Sequence, residues 1–191
     1  MDFGILRLPS DIPTVKRYHL FDKKGKMILV ADHGTPWLPD DPERHVRFAL
    51  PAGDTLATME LTWTKKPGRN GRLHTAYAII LDHVVYAIIN KYLNTRVENA
   101  QSYYVVEVAE TLWLALSKET DDQHYSLYGQ VPSDLMIYDE PQQAKLPDPI
   151  GFLYAGLSGE YDFNIAMPTH QINYPALVSL ALVFLVDYGR S

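Results

Sequence analysis

The segment from Pro175 to Val186 reads Pro-Ala-Leu-Val-Ser-Leu-Ala-Leu-Val-Phe-Leu-Val and runs on into Asp187, Tyr188 and Gly189. No other stretch limits the possible folds as tightly. It lacks the alternation of a half-buried strand and exceeds the usual strand length of about 5–6 residues. A helix is predicted, with Asn173 as N-cap, Pro175 in the first turn, Gly189 ending it and Arg190 near the negative end of the dipole. Such a helix is about 21 Å long, whereas a bilayer core is about 30 Å thick. It is therefore too short to span. Ser179 is its only polar side chain, and its hydroxyl is expected to bond back to the Pro175 carbonyl. A helix apolar on every side must be enclosed on every side, so the rest of the chain has to wrap it.

Much of that remainder reads as short strands and tight turns. Tyr18 to Phe21 leads through Asp22-Lys-Lys-Gly25 into Met27 to Ala31, and Asp and Gly at those positions favour a type I turn with a bulge. Val46, Phe48 and Leu50 lead through Pro51-Ala-Gly-Asp54 into a strand with Ala57, Met59, Leu61 and Trp63 on one face. Tyr161, Phe163 and Ile165 alternate with Glu160, Asp162 and Asn164 in the same way. Loops are expected at 32–45, 65–72, 119–123 and 139–149, from their prolines, glycines or charge. The middle is ambiguous. Tyr77 to Ile89 fits a hairpin turning at Asp82-His83, or an amphipathic helix with Asp82, His83, Asn90 and Lys91 on one face; its Ile, Val and Tyr content favours strand. Tyr104 to Leu116 stays open between the two. The fold class expected is α+β, mainly antiparallel sheet around the C-terminal helix, as one domain over 1–191.

Composition limits function. The chain has no cysteine, which removes disulfides, thiolate metal sites and cysteine nucleophiles and suits a reducing compartment. The N-terminus lacks the basic flank and apolar core of a signal peptide, so a cytoplasmic location, at most peripheral to a membrane, is expected. Net charge is −6, with 14 Lys+Arg against 11 Asp+Glu in residues 1–100 and 3 against 12 in residues 101–191. That balance argues against nucleic acid as a partner and leaves room for a local anion site in the first half.

The stretch Asp162-Phe-Asn-Ile-Ala-Met-Pro168, followed by Ala176 to Leu185 and Val186-Asp-Tyr188, resembles the end of the phospholipid scramblase and LURP-one families of the tubby C-terminal-like superfamily. The Tyr18 to Ala31 hairpin resembles their opening hairpin, and Tyr138-Asp139 with Ile150 to Ala155 a later one. The resemblance covers about Arg17 to Gly189. It implies a closed, roughly twelve-stranded barrel around a central hydrophobic helix. Scramblase-type calcium binding does not carry over, because Thr169-His-Gln-Ile-Asn173 holds no carboxylate where that family has an acidic segment. Tubby-type relatives bind phosphoinositide headgroups through basic surface residues, which implies anionic phospholipid as a partner here.

Two basic turns are the candidate headgroup sites: Lys23, Lys24 and Lys26, and then Lys65, Lys66, Arg69 and Arg72, where Gly68 and Gly71 would let backbone N–H groups approach an anion. If both turns share one end of a barrel they make a single patch. Trp37, in a proline-rich segment, is the candidate contact for a protein partner or a membrane interface. The seven histidines are spread singly, and only Asp121-Asp-Gln-His124 has acidic neighbours. Asp82-His83 reads as a turn rather than a dyad, and Gly156-Leu-Ser-Gly159 lacks the spacing of a nucleophile elbow. No catalytic residue, metal ligand or cofactor is assigned. The expectation is a non-enzymatic binding domain for anionic phospholipid headgroups. A protein-interaction module in stress or defence signalling is the alternative, and a small-molecule-binding barrel or hydrolase a further one.

Overall fold

The hairpin read from Asp22 and Gly25 is the first unit of the wall. In the computed structural model, which describes residues 2–11, 15–33, 45–65, 73–94, 101–108, 111–118, 121–131, 136–137, 140–141, 146–156, 160–167 and 172–188, β2 (Lys16–Asp22) and β3 (Met27–His33) pair antiparallel. Gly25 takes φ +74°, its N–H bonds the Asp22 carbonyl, and the register shifts between Leu20 and Phe21. That is the bulged turn the residues call for. The same device, with Gly53 at φ +99°, joins β4 (His45–Ala49) to β5 (Thr55–Lys65).

Among the described residues the ambiguous middle is strand, apart from the turn at Asp82-His83. β6 (Leu73–Leu81) and β7 (Val84–Asn94) meet at a two-residue turn in which Asp82 and His83 both have positive φ, 50° and 63°. β8 (Gln101–Val108) and β9 (Thr111–Lys118) follow. They were hard to read for a physical reason. Tyr103 to Val106 and Trp113 to Ser117 are buried on both faces, so their apolar pattern does not alternate. One face meets the interior. The other carries a satellite cluster of Tyr103, Val105, Leu114 and Leu116 under Val131, with Leu146 packed against it, from the connection after β10.

Residues 121–128, read partly as an acidic loop, form β10 (Asp121–Tyr128), because Tyr125 and Leu127 turn inward and pull the segment into the wall. Within the next connection, β11 (Met136–Ile137) and β12 (Glu140–Pro141) make a separate two-stranded piece. β13 (Gly151–Ala155) and β14 (Phe163–Ala166) complete the wall, and β14 pairs with β1 (Asp2–Leu8). The result is a closed barrel of twelve antiparallel strands in the order β1-β14-β13-β10-β9-β8-β7-β6-β5-β4-β3-β2. Closure leaves the wall without a free edge.

The barrel is wrapped around α1 (Pro175–Tyr188). Each residue from Leu177 to Val186 is at most 4 % exposed, and together they form one core with inward strand residues such as Phe3, Ile5, Tyr18, Leu20, Phe48 and Met59. The helix starts one residue later than its cap was placed. Tyr174, not Asn173, offers the first carbonyl, to the Val178 N–H, and Pro175 takes the first helical position, where its missing N–H costs little. Ser179 does not bond back to Pro175. Its hydroxyl faces the Met167 sulfur at 3.6 Å.

Candidate functional site

Because the wall is a meander, its connections alternate strictly between two ends. The β2–β3, β4–β5 and β6–β7 turns, the start of β13 and the start of α1 lie at one end; the last residues of β5 and the first of β6 lie at the other. Of the second basic segment only Lys65 is among the described residues, and it lies at the end opposite the β2–β3 turn. Lys23, Lys24 and Lys26 sit in the β2–β3 turn, exposed. Lys65 ends β5, paired with Leu73 at the opposite end. Lys66, Arg69, Arg72 and Trp37 lie outside the described residues.

A concavity lies on the outer face of the wall, beside that first turn. It is a groove of about 890 Å³ over β10, β13, β14 and β1. Alternation turns Tyr125, Leu127, Leu153 and Ile165 inward and leaves two rungs facing out. One rung is Ser126–Phe152–Ala166–Asp2, and the other is His124–Tyr154–Asn164–Gly4. The small residues Ser126, Ala166 and Gly4 make a low floor. The His124 and Tyr154 rings, 4.3 Å apart, rise above it, and Phe152 is 55 % exposed.

Gly4 is required by the opposite wall. Tyr161 does not continue the strand, as its alternation suggested, but folds its ring over Gly4, where a Cβ would lie 2.4 Å from the ring. Phe21 flanks it with ring centroids 5.6 Å apart. Gly151 is equally constrained, since a Cβ there would come within 2.1 Å of the Ala166 carbonyl oxygen.

The turn at the lip is held by its own residues. Asp22 Oδ1 accepts from the Lys26 N–H at 3.0 Å and the Lys24 N–H at 2.8 Å. These bonds, that of Lys26 foremost, hold the Asp22 carboxyl below its ordinary pKa. The backbone donors thereby satisfy the one carboxylate inside the turn, and Lys23 and Lys24 line the groove with their chain direction set.

A second polar cluster lies where the helix ends. Asp187, buried, accepts from Tyr18 Oη at 2.5 Å and from Arg7 Nη1 at 3.2 Å to each oxygen, with Lys16 Nζ 3.9 Å away. Burial first, then the bond to Asp187, pushes the Tyr18 phenol far above its ordinary pKa, so it stays a donor. Asp187 in turn raises Arg7. A carboxylate at a helix C-terminus opposes the dipole, and the two strand cations offset that. Asp162 Oδ2 accepts the Arg7 N–H at 2.7 Å. These groups close the barrel end and hold the helix; they present no activated nucleophile. On the outer wall, Asp32 is shared between Arg17, at 2.5 Å, and Arg47, at 3.7 Å, which ties β2, β3 and β4 across.

Among the described residues no group of three or more His, Asp or Glu could hold a metal ion, and no helix is long and apolar enough to cross a membrane. Of the groove's lining, only Lys23 and Lys24 are candidate binding residues from the sequence. The available signal was Gly-Phe-Leu-Tyr-Ala at 151–155, where any pleated reading puts two aromatics on one face. Comparison with protein-family models, curated proteins and solved structures finds no match to this chain. What the fold defines is a helix-filled barrel with a groove on the outside of its wall.

Proposed function

We propose that the protein is a non-enzymatic binding domain of tubby-like type that takes an anionic phospholipid at a membrane surface. The observation that carries this reading is the position of Lys23 and Lys24 at one side of a groove lined otherwise mainly by aromatic and small residues, with Asp2, Glu160 and the turn-bonded Asp22 also in its lining. The lysines suit a phosphate or carboxylate headgroup, and the exposed Phe152 suits the glycerol and upper acyl region beside it. The helix-filled interior favours an outer site, because a core occupied by α1 leaves no central ligand cavity. The family reading rests on the residues of the last strand and helix, together with the barrel-around-helix arrangement itself.

Flotation with phosphatidylcholine vesicles, with and without phosphatidylserine, tests it. The wild-type chain is expected to prefer the anionic vesicles, and to lose that preference in high salt. Reversing the turn with Lys23→Glu and Lys24→Glu should cut binding to anionic vesicles by at least about tenfold, at about 1 kcal/mol for each surface lysine. Equal binding to both vesicle types by the wild-type chain would remove the proposal.

A further inference from the structure

Six large apolar side chains are exposed among the described residues: Leu50, Val84, Val85, Ile150, Phe152 and Tyr174. All six lie at the end of the barrel where α1 begins. Leu50 follows β4 at the β4–β5 turn, Val84 and Val85 open β7, Ile150 and Phe152 bracket the start of β13, and Tyr174 precedes the helix. Among the described residues none lies at the other end, which the Asp187 cluster helps to close. Val84 and Val85 are 66 % and 55 % exposed. Consecutive strand residues face opposite sides, so both are open to solvent only where the hairpin projects beyond the wall. Lys23, Lys24 and Lys26 occupy the β2–β3 turn of the same rim.

We infer that this rim is a membrane-docking face, which lies flat on a bilayer and places these side chains at the boundary between headgroups and acyl chains. The choice of a bilayer rests on the phospholipid reading above. Geometry favours it too. The apolar residues come from three separate strand connections spaced around the ring, and from the approach to the helix. A peptide or a single helix follows one line and cannot meet them together, whereas a fluid plane meets all of them at once. Asp54 and Asp82 share these turns, Asp2 and Asp148 adjoin them at the same end, and all four are exposed. Docking is therefore shallow: apolar area supplies most of the affinity, and the lysines supply the preference for anionic lipid. The groove reaches this rim at Phe152 and Lys24, so a lipid can enter it directly from the surface on which the barrel sits.

The absence of cysteine makes the test direct. Val84→Cys at the rim and Asp11→Cys in the β1–β2 connection at the opposite end each carry one environment-sensitive nitrobenzoxadiazole label. Vesicles of phosphatidylcholine, with and without phosphatidylserine, are added to each. The label at position 84 is expected to brighten severalfold and shift to the blue, and the label at position 11 to stay unchanged. Val84→Asp with Val85→Asp should lower partitioning by about tenfold on both vesicle types. Lys23→Glu with Lys24→Glu should remove only the preference for phosphatidylserine. A dim label at position 84 on protein that floats with anionic vesicles overturns the docking face and leaves the phospholipid reading standing. Brightening that is equal on both vesicle types, and unaffected by the lysine variant, does the reverse. Brightening without vesicles that grows with protein concentration assigns the rim to a second copy of the chain and overturns the inference. Failure to float with either vesicle overturns both.

Discussion

Asp187 is the residue on which the barrel end depends most. Its carboxylate is buried and is met by a phenol, a guanidinium and an ammonium, each from a strand far away in sequence. Removing the carboxylate takes that partner from the buried Tyr18 hydroxyl and the Lys16 ammonium, while Arg7, its side chain 54 % exposed, keeps its access to water. Asp187→Ala is therefore expected to cost about 3–5 kcal/mol, measured by urea denaturation. Tyr18→Phe, which deletes one hydroxyl, should cost about 1–2 kcal/mol. The double variant should fall well short of the sum, because the two act in one network; additive losses would mean that Tyr18 and Asp187 are not coupled. Asp22 makes a different kind of prediction. Its carboxyl pKa lies below the unfolded value, so the turn bonds it accepts are in force above about pH 4. They are lost as pH falls through the lower, folded pKa. Amide exchange at Lys24 and Lys26, corrected for its intrinsic pH dependence, should lose protection across that acidic window. Unchanged protection there would show that the turn holds without the carboxylate.

At the level of elements, the glycines separate two roles that sequence treats alike. Gly25 and Gly53 have open space around them but positive φ, so an added methyl meets only backbone strain. Gly25→Ala should cost about 1 kcal/mol and leave the groove intact. Gly4 faces the Tyr161 ring, and Gly4→Ala must displace that ring from the wall. The expected result is a larger loss of stability together with a changed environment for Tyr161 and Phe21, seen in their aromatic NMR signals. Turn glycines were legible because Asp-Lys-Lys-Gly and Pro-Ala-Gly-Asp are local signals. Gly4 was not, because its constraint comes from a residue 157 positions away in the sequence (161 − 4). The elements that resisted assignment have an equally physical explanation. β6 and β7 turn through two left-handed residues without glycine, and β8 and β9 are covered on both sides. Periodicity identifies a strand only when one of its faces is wet.

For the whole molecule, wall and helix stabilise each other. A ring of twelve strands without its helix would enclose an apolar void, and the helix alone would expose apolar surface on every side. A chain ending at Tyr174 is expected to lose cooperative unfolding and near-ultraviolet dichroism altogether, whereas retention of a sharp transition would mean that the barrel stands alone. The run from Pro175 to Val186 determined this much by itself, since it is helical in length and pattern, too short to span a bilayer, and apolar all round. The bulged β2–β3 and β4–β5 turns were likewise settled by local residues. What only the tertiary structure decided is everything that depends on closure. Antiparallel order sends Lys23 to Lys26 to one end and Lys65, at the end of β5, to the other. Closure also sets Phe152 and Tyr154 beside Ala166, Asn164 and Gly4, and it gathers the exposed large apolar residues among those described on one rim. Local patterns report which face of a strand is buried. They carry no information about which distant strand lies beside it, because that is decided by pairing across the closed ring.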